Sequence, residues 1–115
     1  MQMDPEESIV FFLTKYINIL EFCLGFDHPE TGEGYAKMGL SCQEAGNYQG
    51  ASISLRRAFC VFYKSLGPQD EVTLGTYGQM LHIDTNLDKT ELKNVPYDLL
   101  PKAILEIERE SQQLA

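Results

Sequence analysis

The amino-acid sequence reads as all-α, a solenoid fragment of about five helices arranged as hairpin repeats, on three grounds. Leu24-Gly25-Phe26-Asp27-His28-Pro29-Glu30-Thr31 is echoed by Leu66-Gly67-Pro68-Gln69-Asp70-Glu71-Val72-Thr73, an offset of 42 residues. The same offset pairs Leu13 with Leu55, Ile17 with Phe59, Leu20 with Phe62, Tyr35 with Tyr77 and Met38 with Met80, so the repeat covers most of the first 86 residues. No segment alternates apolar and polar residues for more than a few positions, which leaves no strand candidate.

Each echoed block stops one helix and starts the next. Gly25 and Gly67 can take the left-handed conformation that ends a helix, and Pro29 or Pro68 keeps the preceding helix from running on. Thr31 and Thr73 can then cap the helices that follow. These signals predict helices over residues 5–24, 32–45, 48–66, 74–86 and 98–113, with Ala45-Gly46-Asn47 as the tight turn of the central hairpin. The chain, 1–115, is then one domain: 5–24 an unpaired helix of the second type, 32–66 a complete repeat, and 74–113 a degenerate repeat with a capping helix.

The first helix is apolar nearly all round, with Ile9 through Leu13, Tyr16, Ile17, Ile19, Leu20, Phe22 and Leu24 on different sides. Such a helix is ordinarily buried on more than one face. The 42-residue register makes it the second helix of a hairpin whose first helix is absent from the chain. Either the chain is excised from a longer solenoid, or a partner covers that face. Phe11, Phe12, Ile19 and Phe22 are therefore candidates for self-association, with a homodimer as the simplest closed form.

The later repeat degenerates after its first helix. Leu81 stands where Gly39 stands in the earlier copy, Gly75 and Gly78 fall inside a helix, and Pro96 interrupts the register. The two glycines are expected to admit close backbone approach, by a neighbouring helix or else by a ligand. A longer turn, Thr85 to Tyr97, leads to a final helix whose stripe is Leu100, Ala103, Ile104 and Ile107. Its other side, with Lys102, Glu106, Glu108, Arg109 and Glu110, reads as a solvated capping face.

Tyr35-Ala36-Lys37-Met38-Gly39, then Ala45-Gly46-Asn47-Tyr48-Gln49-Gly50-Ala51, Leu55 and Ala58 together resemble one complete tetratricopeptide repeat. Gly39, Ala51 and Ala58 let the helices approach, while Tyr35, Met38 and Leu55 fill the space between turns. The Leu-Gly-x-Asp-His-Pro-Glu-Thr linker and the 42-residue period are similar to the kinesin light chain subtype. That linker also resembles those in the helical C-terminal lobe of SET-and-MYND methyltransferases. The resemblance implies a tetratricopeptide-type fold that holds a partner protein or peptide in a concave groove. First helices line that groove, which implicates Lys37, Leu40, Gln43, Glu44, Gln79, His82 and Asn86, a mixed polar surface. The alternatives are an auxiliary lobe of a larger enzyme of the methyltransferase kind and a structural dimerisation element.

Composition narrows the chemistry. A net charge of −8, with 17 acidic against 9 basic residues and no basic cluster beyond Arg56-Arg57, disfavours nucleic acid as a partner. No run approaches ~18 apolar residues, and acidic Asp4, Glu6 and Glu7 precede the apolar stretch, so neither a membrane span nor a secretory signal is expected. A cytoplasmic setting follows. Cys23, Cys42 and Cys60 are odd in number and widely spaced, which fits reduced core residues better than disulfides or a zinc site. Two histidines, no tryptophan and no phosphate-cradling loop suggest neither a catalytic residue nor a metal or cofactor. His28 reads as a turn and cap residue, and His82 as a solvated groove residue.

Overall fold

In a computed structural model that describes residues 5–114, with side chains over 11–110, the chain is all-helical. Its helices are α1 (Pro5–Leu24), α2 (Pro29–Glu44), α3 (Tyr48–Ser65), α4 (Glu71–Asn86) and α5 (Leu100–Leu114), the last preceded by a 3₁₀ turn at Tyr97–Leu99. Turns fall at Gly25, Gly46 and Gly67, whose φ angles of 81°, 80° and 99° lie in the left-handed region that a side chain resists.

The helices α2 and α4 each begin three residues before the sequence expectation. Thr31 and Thr73 are not caps. His28 caps α2, its Nδ1 accepting from the Glu30 N–H at 3.1 Å, and Asp70 caps α4, accepting from the Val72 N–H at 2.9 Å. Residues 28 and 70 share one register position, so the two linkers cap by the same device. Both threonines lie fully buried inside the first turn, where Thr31 donates from Oγ1 to the Gly25 carbonyl at 2.8 Å. Asn47 caps α3 through the Gly50 N–H at 2.9 Å.

Helix α3 is the hub, packing on α2, α4 and α5, while α1 rests mainly on α2. Ala51 and Ala58 are fully buried, and a Cβ at Gly39 would come within 2.9 Å of Leu55 Cγ. Gly32 is equally tight, because its Cβ would meet the Phe62 ring at 2.7 Å. The expected close packing at Gly75 and Gly78 is not found: a Cβ at either would meet nothing within 4 Å. Both point away from the core on the exposed side of α4.

The segment between α4 and α5 replaces a regular hairpin with inserted side chains. Leu92 is buried, and Tyr97 joins a ring cluster with Phe59, Tyr63 and Tyr77 while its hydroxyl donates to the Pro68 carbonyl at 2.6 Å. A buried polar lock fastens the same region. Arg56 donates to Asp84 at 2.9 Å and to Glu91 at 3.2 Å, and Ser52 donates to Asp84 at 2.7 Å. Leu100 and Ile104 of the expected α5 stripe are buried, with Ala103 and Ile107 packed beside them. Glu108 departs from its expected solvated side and accepts from Arg57 Nε at 2.9 Å. Of the cysteines, Cys42 is buried and Cys60 half-buried, but Cys23 is exposed rather than a core residue.

Candidate functional site: two depressions on opposite faces

Helical periodicity places Lys37, Leu40, Gln43 and Glu44 along one face of α2, and Gln79, His82 and Asn86 along one face of α4. Between the two helices lies a depression of about 540 Å³ lined by Lys37, Leu40, Gln43, Gln79 and His82, with Ala36, Leu55 and Gly78 completing it. Five of the seven expected groove residues therefore converge. Glu44 and Asn86 are exposed at the ends of their helices and do not line it. The floor is apolar where Leu55 reaches through, and Leu40 stands largely exposed at the edge. Since nothing lies above the missing Cβ of Gly78, a ligand could approach the α4 backbone closely there.

A second depression, of about 790 Å³, opens among α1, α2, α3 and α5. Val61, Cys60, Ile104, Leu105, Pro101 and Phe26 make its apolar wall. Polar groups gather on one side: Tyr35 donates its hydroxyl to Glu21, the Arg57 guanidinium lies 5.7 Å from the Tyr35 ring centre, and Arg57 pairs with Glu108. Lys64 and Asp27 pair at 3.0 Å on the rim. Burial first, then the Glu21 carboxylate, raises the Tyr35 hydroxyl pKa, so it stays a neutral donor. Burial is the largest influence on Arg57 and works to lower its pKa, but the bond to Glu108 together with the charges of Glu108 and Glu21 and the Tyr35 hydroxyl leaves the guanidinium above its ordinary value. Burial also pushes the Cys60 thiol up to about 12, leaving it an inert apolar wall rather than a nucleophile. Sequence reasoning missed this depression, because it exists only through the displaced position of α5.

The outward side of α1 is a third feature. Leu13, Ile17 and Leu20 face the core, whereas Phe11, Phe12, Ile19 and Phe22 face away from it, Phe22 at 92% exposure. Lys15 lies among them with its ammonium 5.1 Å from the Phe11 ring centre. The side chains of Ile9 and Val10 lie outside the described residues. No family model matches the chain, and no curated protein or solved structure is significantly similar to it. Among the described residues, no group of three or more His, Cys, Asp or Glu is arranged to hold a metal ion, and no helix is long and apolar enough to cross a membrane.

Proposed function

We propose that the chain is a tetratricopeptide-type interaction module that holds a segment of a partner protein in the depression between α2 and α4. The observation that carries this reading is the convergence of Lys37, Leu40, Gln43, Gln79 and His82 on one concavity. An apolar floor ringed by a few hydrogen-bonding side chains binds a peptide by shape and fixes its orientation by polar contacts. The tight contacts at Gly39, Ala51 and Ala58 support the repeat assignment, because they occupy the positions where a tetratricopeptide hairpin needs small residues. We keep a cytoplasmic setting within the proposal, since unpaired thiols suit a reducing compartment.

The test is a segment retained by the intact chain and then measured by calorimetry. Replacing Gln43, Gln79 and His82 together with Ala should weaken its binding at least about tenfold while leaving helicity unchanged. Undiminished affinity in the triple variant would remove the groove as the site. A second reading, association of two copies through α1, is favoured by the exposed Phe11, Phe12, Ile19 and Phe22.

A further inference from the structure

The depression among α1, α2, α3 and α5 is larger than the groove, lies on a different side of α3, and serves no purpose in the reading above. Its volume of about 790 Å³ falls within the range of ligand sites and exceeds the voids of a packed interior. Its charges are three carboxylates, Glu21, Asp27 and Glu108, against two cations, Arg57 and Lys64. Both cations are already engaged, by Glu108 and Asp27. Glu21 is hydrogen-bonded at Oε1 by the neutral hydroxyl of Tyr35 and lies within electrostatic reach of Arg57, and its Oε2 accepts no hydrogen bond among the described residues. The unneutralised charge of the pocket is thus negative, on a chain of net charge −8. The walls come from helices and from the α1–α2 turn at Phe26 and Asp27, with no strand edge to extend, and an extended peptide would lay its backbone polar groups against an apolar surface without partners. A helix satisfies its own backbone.

We propose that this pocket docks a basic amphipathic helix of another protein, with its apolar side chains against Phe26, Pro101 and Leu105 and a lysine or arginine on the free oxygen of Glu21. Exposed Leu105 and Phe26 stand at the rim as the first apolar contacts. The Tyr35 hydroxyl holds the Glu21 carboxylate toward the incoming cation.

The experiment uses the full chain and a fluorescein-labelled synthetic helix of leucine and lysine, about four turns long, with anisotropy as the readout. Its control is the same peptide with glutamate in place of lysine. Wild type should bind the basic peptide with a Kd on the order of micromolar and bind the acidic one at least about tenfold more weakly. Leu105→Asp should weaken the basic peptide by about tenfold or more, and Glu21→Gln by about three- to tenfold with reduced salt dependence. Glu21→Gln keeps an acceptor for Tyr35, so it remains informative should Leu105→Asp unfold the chain. Equal binding of the two peptides, no binding of either, indifference to Glu21→Gln, or loss only in the Gln43, Gln79 and His82 triple variant would each overturn the proposal. So would a wild-type dimer, seen without peptide, that Leu105→Asp dissolves, because the pocket would then belong to a second copy. Failure here leaves the groove reading intact, since the two sites share no lining residue.

Discussion

Helices α1 and α3 occupy the same position in the 42-residue register, and their fates differ sharply. Leu55, Phe59 and Phe62 of α3 are almost fully buried, and of their equivalents in α1 Ile17 and Leu20 are buried as well and Leu13 partly so. The other sides diverge. Val61 is 6% exposed whereas its equivalent Ile19 is 61% exposed, and Ala58 is fully buried whereas its equivalent Tyr16 is exposed. Helix α3 has α2, α4 and α5 around it, while α1 leans chiefly on α2. The shared 42-residue register thus goes with the same buried side in both helices. Whether the opposite side is core or surface depends on neighbours that the repeat itself does not supply.

The largest effect should come at the centre of that contrast. Phe59 is fully buried amid Tyr63, Tyr77 and Tyr97, so Phe59→Ala should cost about 3–5 kcal/mol in a denaturant melt. Its equivalent Ile17 touches fewer elements, and Ile17→Ala should cost less, about 2–3 kcal/mol. Equal losses would mean that α1 is as thoroughly packed as α3. Next in size, Ala58→Leu should cost about 1–3 kcal/mol because no room exists for added methylenes, whereas Tyr16→Leu should stay within ~0.5 kcal/mol. A melting point unmoved by Ala58→Leu would break the assignment of α3 as the close-packed second helix.

Much of this was legible in the sequence because helix geometry converts spacing into faces. The five helices, the turn glycines, the small residues at Gly39, Ala51 and Ala58 and the α5 stripe all follow from local rules. The less legible features are of two kinds, a cap with neighbouring candidates and contacts far apart in the chain. His28 reads as a turn and cap residue while Thr31 also offers a cap, and the bond from the Glu30 N–H decides for His28, as the bond from the Val72 N–H does for its equivalent Asp70. Glu108 was assigned to solvent because the partner that turns it inward, Arg57, lies 51 residues away. The pocket beside α5 is hidden from sequence for the same reason: Leu92 and Tyr97 insert into the core ahead of α5, and no periodicity encodes that.

Titration offers a smaller probe of α3. Cys60 has a pKa pushed from 9.0 to about 12, chiefly by burial. A raised folded-state value makes the folded form the tighter proton holder, so this stabilisation is complete below pH 9 and is lost as pH rises toward 12. By about one pH unit above the unfolded value, the loss should be about 1.4 kcal/mol. Cys60→Ala should flatten the alkaline limb of the melting-temperature profile relative to wild type. Parallel alkaline limbs in wild type and Cys60→Ala would show that the thiol is not held in an apolar wall.

The smallest effect on stability, and the most direct on assembly, is expected on the outward side of α1. Phe12, Ile19 and Phe22 recur at spacings of seven and three residues, the pattern with which one helix packs along another. Burying an aromatic side chain contributes roughly 1.5–3 kcal/mol, so a few such residues on each of two copies suffice for association at micromolar concentration. Because these side chains already face solvent, Phe12→Glu with Phe22→Glu should change the stability of a single copy by no more than ~0.5 kcal/mol per site. The same double variant should lower the mass seen by light scattering across a dilution series, whereas the groove triple variant should not. A wild type that stays monomeric when concentrated would show that α1 does not close on its own copy. A double variant that loses helicity would show instead that Phe12 and Phe22 already contribute to the fold of the single chain, and the contrast between α1 and α3 would then collapse.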